Sequence, residues 1–128
     1  MNINHPAKRI EGMTIPLRGT VLDPPGAEGS SGGVPIWIAT DAALHIKAIK
    51  LSCNADPDTE LTLALKYADA PIGLAGSALI AQCDTTAGVF SSTIDVAVAA
   101  GKFIYFEFEA APDAALLWFA FDIQYTYD

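Results

Sequence analysis

Residues 101–128, GKFIYFEFEA APDAALLWFA FDIQYTYD, constrain this chain more than any other stretch. Ile104, Phe106 and Phe108 sit two apart, and so do Leu117, Phe119, Phe121, Ile123, Tyr125 and Tyr127. A strand sends alternate side chains to opposite faces, so each set lines one face of a β-strand. The intervening Ala-Ala-Pro-Asp has the chemistry of a turn, since proline fixes φ and aspartate bonds to the local backbone. The stretch therefore predicts a hairpin with a four-residue loop, Ala110 to Asp113. In that register Phe106 opposes Leu117, Ile104 opposes Phe119 and Tyr105 opposes Trp118. The reverse face carries Phe103, Tyr105, Leu116 and Trp118, an apolar patch near the turn. Either another part of the same chain covers that patch, or it meets a second subunit, because contiguous exposed apolar surface marks interfaces. These four residues are the candidates for an oligomer interface.

The rest of the chain reads the same way. Residues 1–33 hold Pro6, Pro16, Pro24, Pro25 and the run from Gly26 to Gly33. They predict an extended N-terminal arm with a glycine-rich hinge, because proline and glycine interrupt helices and central strands. Within it, Met13 to Leu22 forms an extended piece that Pro16 confines to a sheet edge. The glycine run lacks the Lys-Ser/Thr ending and following helix of a phosphate-binding loop. Strands are predicted at Val34–Thr40, Ala43–Asn54, Leu61–Tyr67, Ala78–Cys83 and Phe90–Val98. In Ala43–Asn54 the apolar face switches near Ala48, from Leu44 and Ile46 to Ile49, Leu51 and Cys53, which predicts a bulge or bend. Seven or eight strands with no helical period indicate an all-β antiparallel sandwich or barrel, and a β-sandwich over residues 34–128 is the expectation.

Composition narrows the function. The chain of 128 residues is one domain's length, 52 % hydrophobic and 17 % charged. No apolar run reaches the ~18 residues that span a bilayer, and the opening MNINHPAKRIEG has no secretory signal pattern. The net charge of −8 disfavours nucleic acid as a partner. It is unevenly spread. Residues 1–18 hold Lys8, Arg9 and Arg18 against Glu11, for +2, and the remainder holds four lysines against fourteen acids, for −10. Lys8, Arg9 and Arg18 are therefore the candidate contacts of the arm with an acidic surface, the chain's own or a partner's.

Catalytic and metal-binding patterns are weak. Cys53 and Cys83 fit no zinc or redox spacing; the main reading is free, buried thiols, and the alternative is a disulfide across two strands. Asp56, Asp58 and Glu60 lie in a turn that lacks the glycine and distant glutamate of a calcium loop. His45 has no second metal ligand at a suitable spacing. Glu107 and Glu109 share a strand face roughly 7 Å apart, but nothing in so short a chain supplies the walls of a cleft. The expectation is a protein without catalytic residues, metal or cofactor. Trp37, Trp118, Tyr125 and Tyr127 supply possible sugar-stacking faces for a receptor- or carbohydrate-binding module.

One succession carries a resemblance. The turn Asp84-Thr-Thr-Ala-Gly88, the alternating strand STIDVAV, the run AAGKFIYFEFEA and a last strand ending in alternating tyrosines resemble the jelly-roll domains of tailed-phage virion proteins. Capsid decoration (cement) proteins and tail-fibre tips are among these. The likeness spans Ile36 to Asp128 and brings no catalytic residues with it. It implies a homotrimer on the capsid surface, assembled in the host cytoplasm, whose N-terminal arm grips the major capsid protein or another virion protein.

Overall fold

The computed structural model describes residues 13–22, 34–38, 42–54, 63–69, 76–84, 88–108 and 118–128. All regular structure among them is β-strand: β1 (Ile15–Leu22), β2 (Val34–Ile38), β3 (Leu44–Cys53), β4 (Leu63–Ala68), β5 (Ala78–Gln82), β6 (Val89–Val98), β7 (Phe103–Phe108) and β8 (Trp118–Tyr127). They form two four-stranded antiparallel sheets, ordered β1-β8-β3-β6 and β2-β7-β4-β5.

The order has a simple generator. β1 pairs with β8, β2 with β7, β3 with β6 and β4 with β5. The chain is thus one long hairpin with β4 and β5 at its tip. Rolling that ribbon brings β3 beside β8 and β4 beside β7, which closes each sheet. This is the jelly-roll order, an antiparallel way of limiting free edges.

The expected hairpin between the last two strands does not form. β7 and β8 lie in different sheets. Phe106 and Ile104 pair in-sheet with Leu65 and Tyr67 of β4, while Phe119 pairs with Val21 and Cys53. The reason is physical. Period-two alternation fixes which face a side chain takes, not which strand lies alongside. Two core-facing strands satisfy the same pattern equally well from opposite walls. β8 gains eight paired residues from β1 and nine from β3, more than the six-residue β7 has to offer.

The two aromatic sets therefore meet across the core. The Phe106 ring lies 5.4 Å from Phe119, edge to face, and 5.5 Å from Phe121. Phe108 also meets Phe119 edge to face, at 5.9 Å. One wall supplies Leu44, Ile46, Ile49, Leu51, Phe119, Phe121, Ile123, Tyr125 and Tyr127, and the other supplies Leu63, Leu65, Ile80, Ile104 and Phe106. Each fully buried Leu, Ile or Phe contributes roughly 1.5–3 kcal/mol of transfer free energy.

β3 shows how parity is kept. Leu44 and Ile46 are buried, and so are Ile49 and Leu51, although the two pairs differ in parity. The register with both neighbouring strands shifts between Ile46 and Ala48. That bulge, expected from the sequence, returns Ile49 and Leu51 to the core within one sheet. β1 is an edge strand, as Pro16 requires, but it belongs to the sandwich. Residues 15–22, assigned by sequence to the arm, are part of a sheet, so the fold takes in more than residues 34–128. Residues 1–12 and 23–33 lie outside the described residues. Gly19 faces inward on β1, where a Cβ would stand 2.7 Å from Cζ of Phe121. Only glycine lets that ring close over the strand.

Candidate functional site

The chemistry gathers on the outer face of the β1-β8-β3-β6 sheet, beside the β3 bulge. Bulges re-aim side chains, and here His45 and Lys47 both leave the core side and turn toward β6. His45 Nδ1 lies 2.6 Å from Oδ1 of Asp95, and its Nε2 lies 2.9 Å from Oδ1 of Asp128. Lys47 Nζ lies 3.2 Å from the other oxygen of Asp95. The His45 hydrogen bond first, and Lys47 second, hold the Asp95 carboxyl below its ordinary range. Both ring nitrogens are thus engaged by carboxylates. The cluster acts as a clasp that ties β6 and Asp128 to β3. It is exposed, so solvent screens these pairs and their contribution to stability is small.

Further along the same face Arg18 of β1 donates to Asp122 Oδ2 at 3.1 Å. The other oxygen, Asp122 Oδ1, is occluded and accepts no hydrogen bond from the described residues. Next to it lies an open groove of about 510 Å³ lined by residues of three neighbouring strands, among them Lys50, Ser52, Val89, Ser91, Ala120 and Asp122. Small side chains leave the groove, since Ser52 sits opposite both Ala120 and Val89.

The residues singled out from the sequence fall in several places. Of the arm cations, Arg18 is the one described. It is exposed on β1 and paired with Asp122, while Lys8 and Arg9 lie outside the described residues. Phe103 and Tyr105 are 8 % and 0 % exposed and form a second small cluster with Ala68 on the outer face of β7. Their rings stack at 5.8 Å. Within the chain these two side chains are already withdrawn from water. Trp118 is half-buried on β8, its backbone N–H donating to Oδ1 of Asn54 at 3.0 Å, and Leu116 lies outside the described residues.

Tyr125 and Tyr127 are core residues, 8 % and 9 % exposed and packed edge to face. That corrects their candidacy as sugar-stacking platforms; their parity on β8 matches Phe119 and Ile123 and commits them inward. Trp37 stands in β2 opposite Ile104. Glu107 is held by Lys66 Nζ at 3.0 Å. Glu109 and the acidic turn with Asp56, Asp58 and Glu60 lie outside the described residues. Both cysteines are free thiols, with Cys83 buried and Cys53 half-buried.

The clasp was missed in sequence, although its parts were visible. His45, Lys47 and Asp95 all fall on outward positions of their strands. Only the β3–β6 register, His45 opposite Ala97 and Ala48 opposite Thr93, brings them together. Among the described residues no group of three or more His, Cys, Asp or Glu side chains could hold a metal ion, and no helix is long and apolar enough to cross a membrane. Comparison with known proteins gives no family model, no characterised relative and no solved structure that matches the chain.

Proposed function

We propose that this chain is a structural, non-enzymatic protein of a tailed-phage virion, a decoration or cement protein that binds and stabilises the capsid shell as a homotrimer. The observation that carries the reading is the strand order β1-β8-β3-β6 facing β2-β7-β4-β5. Jelly rolls of this order build capsid and lectin domains, so the warrant is analogy at the level of the fold. The charge distribution supports it. With Arg18 in the sandwich, residues 13–128 carry a net −9 and residues 1–12, with Lys8 and Arg9 against Glu11, a net +1, which suits a protein held against other acidic surfaces by its N-terminal cations. The partner is then the major capsid protein or another virion protein, and the location is the capsid surface after assembly in the host cytoplasm.

The test follows from the position of β1. Deletion of all 33 N-terminal residues would strip an edge strand from the sheet, so the cut belongs before Met13. A variant lacking residues 1–12 is expected to keep its circular dichroism spectrum and thermal midpoint. It is also expected to lose binding to purified shells in a co-sedimentation assay. Retained binding would remove Lys8 and Arg9 from the mechanism.

A second reading, a receptor- or glycan-binding module of a tail fibre or spike, draws on the groove beside Asp122. Its hydroxyls from Ser52 and Ser91, with Lys50 at the rim, offer hydrogen bonds to a sugar, and Val89 offers an apolar contact. A few polar groups in a mostly apolar concavity are the usual make-up of a ligand site. An array of host-surface glycans with no hits would remove this reading.

A further inference from the structure

One row of charge on the outer face of the β1-β8-β3-β6 sheet lies apart from the clasp. Register sets Arg18, Asp122, Lys50 and Ser91 side by side across the four strands. All four fall on the outward positions of their strands, and neighbouring strands lie about 4.7–4.9 Å apart. The charges in this row are unevenly engaged. Arg18 donates to Asp122 Oδ2 at 3.1 Å. Lys50 stands on the other side of Asp122, yet among the described residues no ion pair or hydrogen bond holds its ammonium. Asp122 Oδ1 is an acceptor without a donor from the described residues. An occluded acceptor in that condition is costly and asks for a reason. The Asp122 side chain keeps 23 % exposure and borders the groove of about 510 Å³. The next row forms the floor, where Ser52 beside Ala120 is small enough to leave the space open.

We propose that this groove binds the acidic end of a saccharide, a sugar ring that bears a carboxylate. The proposal rests on the glycan-binding reading above and names the class of sugar. Charge decides the class. At the groove Arg18 (+1) offsets Asp122 (−1), which leaves Lys50 (+1), a locally positive balance on a chain of net −8. Charges further off count for little, because exposed charges beyond the ~8 Å Debye length at physiological salt are largely screened. One ammonium matches one carboxylate in a charge-assisted hydrogen bond; a polyphosphate brings more negative charge than Lys50 can meet. The other groups call for hydroxyls. Asp122 Oδ1 needs a donor, and Ser52 and Ser91 each offer a donor and acceptors. A molecule that carries an anion to Lys50 and hydroxyl donors to Asp122 is a polyhydroxy acid, and a sugar acid holds both on one ring. The volume falls in the range of roughly 300–1,000 Å³ that ligand sites occupy, and the open side lets the rest of the saccharide run out into solvent. Arg18 is a positioning residue, fixing the carboxylate through Oδ2 and leaving Oδ1 for the ligand.

The experiment titrates the full, isotope-labelled chain with oligosaccharides ending in glucuronic acid and in sialic acid. Their glucose- and galactose-ended counterparts are the neutral probes, and sodium acetate is the bare carboxylate. Amide signals of Ser52, Ser91 and Ala120 are expected to move with at least one acidic sugar. Its affinity should exceed that of its neutral counterpart at least about tenfold, the effect of one charge-assisted hydrogen bond. Lys50→Gln should abolish that preference with an unchanged circular dichroism spectrum, since Lys50 is exposed. Equal binding of acidic and neutral sugars, a preference that survives Lys50→Gln, or shifts confined to residues away from the groove would each overturn the proposal and leave the glycan-binding reading standing. Acetate shifting the same amides as strongly would mean an adventitious anion only, which also overturns it. Binding of neutral probes alone removes the proposal and keeps that reading; binding of no saccharide removes both.

Discussion

Phe106→Ala lowers the stability of this protein by about 3–5 kcal/mol, the cost of removing a buried phenylalanine and leaving a cavity. Set against the 5–15 kcal/mol typical of a whole domain, that is a large share, and the urea midpoint should fall accordingly. The effect is large because Phe106 is fully buried at the seam of the two sheets. It reaches Phe119 at 5.4 Å and Phe121 at 5.5 Å on the opposite wall. The same contacts make a sharper statement. In a double-mutant cycle, Phe106→Ala and Phe119→Ala should couple by about 0.5–1.5 kcal/mol, the range for an edge-to-face aromatic pair. Coupling near zero would place the two rings apart and count against the cross-core packing.

The second large effect is a loss of stability in alkali. Burial pushes the Cys83 thiol up from 9.0 to about 12. Burial, with Tyr127 adding to it, pushes Tyr125 from 10.0 to about 12. Tyr105 is also raised, again by burial first and by Glu107 second. In each case the folded state favours the neutral, protonated form. The stabilisation is fully present below the unfolded value and is lost as pH rises toward the folded one. The window therefore opens near pH 9, where unfolded Cys83 begins to ionise, and closes near pH 12. A shift of this size in Cys83 alone corresponds to ~4 kcal/mol at the far end of the window, at 1.36 kcal/mol per unit. Urea titrations at steps from neutral pH upward should show midpoints that hold to about pH 9 and then fall. In Cys83→Ala the midpoint should start lower and decline less steeply between pH 9 and 10. An equal slope in both proteins would mean that the thiol is not the group responsible.

How much of this was legible in the sequence depends on whether a feature is local. Period-two alternation in FIYFEF and WFAFDIQYTY revealed strands and their inward sets. Pro16 marked an edge. The change of parity between Ile46 and Ile49 marked a bulge, and the structure has it there. Neighbours were not legible, because alternation does not say which strand lies alongside. β1 pairs with a strand about a hundred residues away, Ile15 opposite Tyr125, and the intervening turns are silent on that. The proline turn after β7 suggested a hairpin because turn chemistry is local, whereas the gain from pairing β8 with both β1 and β3 is not. The candidate site follows the same division. Outward parity of His45, Lys47 and Asp95 was readable, but their meeting depends on the β3–β6 register and on the bulge that shifts it. Tyr125 and Tyr127 look like ligand platforms by residue type alone; their parity, shared with Phe119, settles that they are core.

The strand order rests most directly on where β8 lies, and backbone NOEs in an isotope-labelled sample report that. The jelly-roll order predicts cross-strand contacts of Ile123 with both Leu17 and Ile49, and none between the backbones of Ile104 and Phe119. Backbone contacts between Ile104 and Phe119, with none from Ile123 to Leu17, would restore the simple terminal hairpin and contradict the fold described here.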